Sequence, residues 1–203
     1  MDFRELNKEL GNADLFLIDQ ILKGSFHPGM RILDAGCGEG RNMIYFVRNN
    51  FSIYGIDPDP VKVSMAKLIA RSSNKNFTIE NILVSSIEDN PFPNEFFDVV
   101  LCINVLHSAN DSEHFMRLLE AQIRILKRGG LFYISMESDM EGKSKCEKIA
   151  PRKGALADRV SLRMTSDLFN RILSLNSLIK NEPVRTLHIE ETIRISGFWF
   201  RKI

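Results

Sequence analysis

Long apolar runs are missing from this 203-residue chain, and its few cysteines are not paired in any motif. The first eight residues, MDFRELNK, lack the apolar core of a secretory signal peptide, and no uncharged run approaches the length needed to cross a bilayer. Cys37, Cys102 and Cys146 form no CxxC motif and no Cys/His cluster. This odd number fits reduced thiols better than a disulfide framework or a zinc site. We therefore expect a cytoplasmic protein with no membrane segment and no bound metal.

A surplus of either charge is also absent. The chain has 27 Lys and Arg residues against 26 Asp and Glu residues, a formal net charge of +1. Composition thus provides no general attraction to nucleic acid or to an anionic membrane. The hydrophobic fraction of 44% and the charged fraction of 26% are ordinary for a globular protein. Because the length suffices for a full α/β core and no repeat divides it, we expect residues 1–203 to form a single domain.

Apolar strands and amphipathic helices alternate between residues 31 and 135. Such an alternation indicates a parallel sheet with helices on both faces. A helix from Thr165 or Ser166 to Leu173 and an antiparallel hairpin of residues 178–188 and 192–203 are predicted to follow. In the alternating part, strands are predicted at 31–35, 52–57, 79–84, 97–103 and 131–135, and helices at about 40–50, 60–72 and 115–126.

Two segments outside this alternation are expected to lie near a ligand. Apolar positions in residues 3–24 are spaced for one or two helices, with Asn12 or Asp14 as a cap, so the segment 1–29 is expected to pack on the sheet edge and to act partly as a lid. The polar segment 137–165 is an insertion at the carboxyl end of a strand, where open α/β sheets carry ligand-binding loops. Its basic run, 143–163, either contacts substrate or is a solvated face.

One stretch concentrates the chemistry, Ile32-Leu-Asp-Ala-Gly-Cys-Gly-Glu-Gly40. It predicts a strand, a glycine-rich turn and a helix start, which together direct backbone N–H groups at a ligand that presses against the backbone. Asp57 ends the next predicted strand about 20 residues later, where a nucleotide ribose would be held. Gly40 comes one residue early for the dinucleotide pattern G-x-G-x-x-G, and no Gly-Lys-Ser/Thr follows, which excludes a Walker A loop. An adenosine-type cofactor is predicted.

The same stretch resembles motif I of the class I S-adenosylmethionine (SAM)-dependent methyltransferases. With five motifs in register over roughly residues 30–136, the chain is identified as a member of this family, of the small-molecule type similar to "methyltransferase domain 11/25". The resemblance implies a Rossmann-like, doubly wound α/β sheet of seven strands in the order 3-2-1-4-5-7-6, with strand 7 antiparallel. The four further matching segments are Tyr54–Asp57, Ser86–Phe92, Phe97–His107 and Ile125–Leu131.

The resemblance also implies SAM as the cofactor, S-adenosylhomocysteine (SAH) as its product, and a set of binding residues. Asp34 would lie near the cationic end of SAM, or would order the glycine turn by accepting N–H bonds. Asp57 would bind the ribose hydroxyls, or would cap the following helix. Ser86 stands where many members have an Asp that contacts the adenine amino group, and Ile87 would pack on the adenine ring. The implied cofactor-binding residues are Asp34, Gly36, Cys37, Gly38, Gly40, Asn42, Asp57, Pro58, Ser86, Ile87, Asn104 and Val105.

Methyl transfer from a sulfonium is an in-line displacement that depends mainly on alignment, and a general base is needed only when the acceptor carries a proton of high pKa. His107 is a candidate catalytic base or substrate contact; alternatively, it packs at the mouth of the site. Arg41 is a candidate for binding a carboxylate of SAM or of substrate, or is a solvated side chain.

Motif IV reads Asn104-Val-Leu-His107 and not the Asn/Asp-Pro-Pro-Tyr/Phe typical of enzymes that methylate base amines. We therefore expect a small-molecule acceptor rather than nucleic acid. A non-catalytic SAM-binding module, an RNA methyltransferase and a nicotinamide-dependent oxidoreductase stay open as alternatives. The sequence identifies neither the acceptor atom nor the oligomeric state.

Overall fold

The computed structural model describes residues 12–140, 161–189 and 193–203, together with the backbone of residues 148–149. The predictions for residues 1–11, for Cys146 and for most of the basic insertion lie outside the described residues. The described part still contains the whole predicted sheet and its glycine turn.

Strands and helices alternate along the described chain as the sequence predicts. The helices are α1 (Leu15–Leu22), α2 (Ile44–Arg48), α3 (Pro60–Ser73), α4 (Ser112–Ile125) and α5 (Ser166–Ser174), with 3₁₀ turns at Ile79–Asn81 and Leu106–Ser108. The strands are β1 (Arg31–Ala35), β2 (Ser52–Asp57), β3 (Ile82–Val84), β4 (Phe97–Ile103), β5 (Leu126–Asp139), β6 (Lys148–Ile149), β7 (Ser161–Leu162), β8 (Met164–Thr165), β9 (Leu178–Lys180), β10 (Arg185–Ile189) and β11 (Ile193–Lys202).

The main sheet runs β3-β2-β1-β4-β5-β11-β10. Strands β1 to β5 pair in parallel, whereas β11 is antiparallel to both β5 and β10. With β10 and β11 counted as the sixth and seventh strands, this is the predicted order 3-2-1-4-5-7-6 with an antiparallel seventh strand. Both the order and the direction of the last strand are confirmed.

Helices cover both faces of the sheet, as predicted. Side chains alternate along β4, so Val99 and Leu101 join one core cluster and Val100 and Cys102 join the other. Helices α1, α2 and α3 pack on the first face, and α4 and α5 pack on the second. The parallel strands thus have apolar neighbours on both sides, and their carboxyl ends remain as the open edge.

Three predicted boundaries were wrong for identifiable reasons. Helix α2 begins at Ile44 and not at 40, because turns occupy residues 41–43 after Gly40, whose φ is +84°. Strand β5 begins at Leu126 and not at 131, because Gly129, at a φ of +76°, lies inside the strand where β5 bulges and the β4–β5 register shifts. The predicted strand 178–188 splits into β9 and β10 around Pro183, which cannot donate to a ladder.

Candidate active site

A cleft of about 740 Å³ opens at the carboxyl ends of β1, β2 and β4. The glycine turn forms its floor, the loop after β3 and helix α4 form one side, and the segment after β4 forms the other. Of the fourteen site residues predicted from the sequence, the cleft lining includes all except Asp34 and Gly40: Gly36, Cys37, Gly38, Arg41, Asn42, Asp57, Pro58, Ser86, Ile87, Asn104, Val105 and His107.

Glycine is required in the turn for two different reasons. The N–H groups of Gly36 and Cys37 both donate to the Ile56 carbonyl, at 2.7 and 2.9 Å, so the turn is folded back on β2. Gly36 has a φ of +79°, and a Cβ there would lie 2.3 Å from a methyl carbon of Val105. Gly38 also has a positive φ, +55°, but a Cβ there would meet nothing within 4 Å. Gly36 therefore serves packing, whereas Gly38 leaves room for a ligand.

Asp57 is held at the end of β2 by two backbone donors. Its Oδ2 accepts from the N–H of Gly38 at 3.0 Å, and its Oδ1 accepts from the N–H of Asp59 at 3.0 Å. The cap of α3 is Asp59, which accepts from the N–H groups of Val61 and Lys62, so the alternative role of Asp57 as that cap is wrong. A carboxylate has about four acceptor positions, and two of them stay available on the cleft side for ribose hydroxyls.

Asp34 lies beneath the turn and outside the cleft lining. It is 1% exposed, and its Oδ2 has no hydrogen-bond partner among the described residues. Burial raises the pKa of Asp34 to about 7; the positive charge of Arg41 opposes this rise, and the negative charge of Asp57 adds to it. The Asp34 carboxyl, which lies below the floor of the cleft, therefore changes its charge near neutral pH.

The loop after β3 forms an apolar wall. Ile87 is 7% exposed, and its carbonyl accepts from the side-chain amides of Asn90 and Gln122. Ser86 accepts from the N–H of Asp89 at 2.9 Å, so its hydroxyl holds the loop while the residue lines the cleft. Together with Leu118 of α4, this wall suits a planar aromatic ring such as adenine.

The segment after β4 forms the opposite side of the cleft. Asn104 has a φ of +54°, and its N–H donates to the Ser135 carbonyl at 2.8 Å. His107 follows on the 3₁₀ turn Leu106–Ser108. Burial lowers the pKa of His107, with the charge of Glu137 opposing that effect, so the imidazole is neutral at neutral pH and can accept a proton.

Several lining residues were missed by the sequence analysis, notably Glu39, Lys62, Glu88, His114 and Leu118. His114 and Leu118 are four residues apart on α4, so the helical period alone places them on one face. Nε2 of His114 lies 3.4 Å from a Glu88 carboxylate oxygen. No motif indicated which face of α4 borders the cleft, and this is why the sequence analysis missed both residues.

The arrangement fits SAM. A carboxylate for the ribose, an apolar wall for the adenine and an open glycine backbone lie around one cleft, and a buried acid with an unpartnered oxygen lies beneath it. Metal ligation has no comparable support: within 12–140, 161–189 and 193–203, no group of three or more His, Cys, Asp or Glu residues could hold an ion. The absence of a metal stays a prediction for the whole chain.

The family model of the "Methyltransferase domain" matches residues 33–134, just over half of the chain. The chain belongs to this family, the class I SAM-dependent methyltransferases. The match spans the glycine turn, Asp57, the loop after β3 and the segment after β4. Membership therefore rests on the same residues that surround the cleft.

Curated and solved relatives agree with this membership. A ubiquinone biosynthesis O-methyltransferase of Rhodopseudomonas palustris is 32% identical over 107 residues, which cover 53% of this chain and 40% of that protein. A SAM-dependent methyltransferase of Methanosarcina mazei has a TM-score of 0.74 at 18% identity, covering 90% of this chain and 97% of that one. Magnesium protoporphyrin IX methyltransferase of Synechocystis, solved with bound SAM, has a TM-score of 0.67 at 15% identity, covering 100% of this chain and 85% of that one.

The chain spans less than half the length of the curated relative, and the two solved structures show the shared fold alone. Among the described residues, no helix combines the length and apolar character that a membrane span needs. Cytoplasmic location stays a prediction.

Proposed function

We propose that this protein binds SAM in the cleft and transfers its methyl group to a small-molecule acceptor. The observation that carries the proposal is Asp57, which is fixed by two backbone donors beside the open Gly38 backbone. This pair fits a ribose and the chain that extends from it, because a carboxylate accepts from hydroxyls while a bare backbone permits close approach.

Each part of the cleft has a role in this proposal. Asp57 holds the ribose, Ile87 and Leu118 enclose the adenine, and the turn from Gly36 to Gly38 holds the amino-acid end. When bound, SAM supplies an electrophilic methyl group on a cationic sulfur. The protein aligns the acceptor with that methyl group and excludes water, and alignment is the main requirement of an in-line displacement.

An acceptor with an ionisable hydroxyl fits the opposite side of the cleft best. His107 lines the cleft, and its lowered pKa leaves it neutral and ready to take the hydroxyl proton as oxygen attacks carbon. The R. palustris relative is named as an O-methyltransferase, and the Synechocystis neighbour is named for a porphyrin substrate. Both names support a small molecule, as does the Asn104–His107 sequence, which lacks the Pro-Pro-aromatic run.

We also propose that residues 1–203 form one domain whose acceptor side is bordered by the segments 1–29 and 137–165. Strand β5 extends to Asp139 and pairs there with β8, and Arg163 bonds Glu137 at 2.8 Å. Through these contacts, β8 and Arg163, which follow the undescribed part of the insertion, lie at the end of β5. This end of β5 lies next to Asn104 and His107.

The decisive experiment measures cofactor binding by calorimetry. Unchanged protein is expected to bind SAM and SAH, and Asp57→Ala is expected to weaken both by about 100-fold, since a buried carboxylate would lose two ribose hydrogen bonds. The matched control is Glu120→Ala, because Glu120 is an exposed acid on α4 outside the cleft lining. Normal SAH binding by Asp57→Ala would refute the ribose assignment.

Labelled-methyl transfer to panels of phenols, amines, carboxylic acids and RNA then identifies the acceptor. Transfer to a phenol is expected. Binding of SAM without transfer to any member of the panels would favour a non-catalytic SAM-binding module. Salt-dependent transfer to RNA would favour the nucleic-acid alternative.

A further inference from the structure

The carboxylate of Asp14 makes more hydrogen bonds than a helix cap requires. Its Oδ1 accepts from the N–H groups of Phe16 and Leu17 at 3.0 and 3.1 Å, which caps α1. The same oxygen accepts from the Tyr133 hydroxyl at 2.6 Å, and Oδ2 accepts from the Ser135 hydroxyl at 2.9 Å. These two donors lie on β5, 119 and 121 residues away in sequence. Asp14 thus joins the start of α1 to the centre of the sheet.

The contacts of Asp14 continue to two parts of the cleft lining, the stretch after the glycine turn and the segment after β4. Its backbone N–H donates to Oδ1 of Asn42 at 2.9 Å, and Asn42 is a buried residue of the cleft lining just after the glycine turn. Ser135, which donates to the carboxylate, accepts through its carbonyl from the N–H of Asn104 on the opposite side. Asp14 therefore contacts one residue of the cleft lining, Asn42, directly, and only Ser135 separates it from another, Asn104.

The rest of α1 is firmly seated on the sheet. Leu17 is fully buried, and the ring of Phe16 lies against Gly197, where a Cβ would come within 2.9 Å of it. Asp19 pairs with Arg185 of β10 at 2.6 Å. Because α1 is anchored along its length, its N-cap residue Asp14 can hold Asn42 and Ser135 at a fixed separation.

We propose that Asp14 is a positioning residue of the cofactor site, which couples the docking of α1 to cofactor binding through Asn42 and Ser135. The inference rests on the proposed function. Coupling between cofactor binding and docking of α1 is reciprocal. If docking of α1 strengthens cofactor binding by some factor, the bound cofactor must strengthen the docking of α1 by the same factor. A residue that only caps a helix would show no such link.

The test replaces Asp14 by Ser, which still caps a helix but is too short to reach Tyr133 and Ser135. Asp111→Ser is the matched control, since Asp111 caps α4 through the N–H group of His114 and is an exposed residue outside the cleft lining. Calorimetry measures the Kd for SAH, and hydrogen exchange measures the protection of α1 amides with and without SAH. We expect Asp14→Ser to weaken SAH binding about tenfold and to reduce the SAH-dependent protection of α1, because the contacts with Tyr133 and Ser135 are lost while the backbone bond to Asn42 remains. Asp111→Ser is expected to stay within about twofold of the unchanged protein.

The outcomes separate the inference from the function on which it rests. Unchanged protein that binds no SAH would overturn both. Normal SAH binding and unchanged protection in Asp14→Ser, whatever its melting temperature, would overturn the positioning role alone, as would an equal loss in Asp111→Ser.

If Asp14→Ser does not fold, Tyr133→Phe takes its place, because it removes one hydroxyl and keeps the ring stacked on Trp199 at 4.2 Å. A loss of SAH affinity of about threefold, with weaker protection of α1, then supports the role. Unchanged affinity and protection in Tyr133→Phe would refute it.

Discussion

The two ends of the cleft are built in opposite ways. At the cofactor end, Asp57 bonds Gly38 and Asp59, and the turn bonds Ile56, so the contacts lie within one pair of adjacent strands. At the acceptor end, Asn104 depends on Ser135, and Glu137 depends on Arg163. In the proposed function, the ribose and the amino-acid end of SAM are thus held by one short stretch of sequence, whereas the acceptor would be held by residues of separate segments.

The largest expected effect is a difference in stability between substitutions of two glycines at the cofactor end, Gly36 and Gly38. Gly36→Ala would force a Cβ into Val105 at a positive φ, so we expect a loss of about 3 kcal/mol or more in the free energy of unfolding, and no SAH binding. Gly38→Ala meets no neighbour, so we expect a loss of only about 1 kcal/mol, with SAH binding reduced because the new methyl group enters the cleft. Chemical denaturation and calorimetry measure the two quantities. Equal losses of stability would contradict the division of roles.

The next effect concerns the acceptor end. His107→Gln is expected to lower kcat about 100-fold with a phenolic acceptor while the Kd for SAH stays unchanged. Because the base acts in its neutral form, the rate of the unchanged protein should fall as the pH drops through the pKa of His107, which burial places below the ordinary 6.5. The measurement is a pH–rate profile of both proteins. An identical profile in His107→Gln would show that His107 only packs at the mouth of the cleft.

The smallest effect concerns the acid beneath the turn. Because the pKa of Asp34 is raised in the folded protein, protonated Asp34 increases the free energy of unfolding at low pH. This increase is lost as the pH rises from about 4 to about 7. Asp34→Asn removes the charge, so we expect a higher melting temperature than in the unchanged protein at about pH 8, by several degrees.

The same variant distinguishes the two forms of the cofactor. SAM carries a sulfonium charge that SAH lacks, so Asp34→Asn is expected to weaken SAM about threefold more than SAH. Differential scanning fluorimetry across pH and paired calorimetry test the two statements. Melting temperatures with the same pH dependence in both proteins would show that folding does not raise the pKa of Asp34.

The parallel sheet and the glycine turn could be predicted because their signals are local, whereas the strand order came from the resemblance to the family. Apolar strands alternating with helices define the parallel sheet, and Gly36 to Gly40 followed by Asp57 define the first unit. The role of Asp59 as helix cap was assigned to Asp57 as an alternative, because both acids precede α3 and only the backbone conformation decides between them. Asp14 was expected to be at most a cap, since its contacts with Tyr133 and Ser135 bridge more than a hundred residues.

The bulge around Gly129 separates the α4–β5 connection from the cleft. The β4–β5 register shifts only at the end away from the cleft; beyond it, the pairs from Val99–Leu131 to Ile103–Ser135 run without interruption. A change of length between α4 and β5 is therefore absorbed before it reaches Ser135, the partner of Asn104. An insertion or deletion of one residue beside Gly129 is therefore expected to leave the hydrogen bond between Asn104 and Ser135 in place.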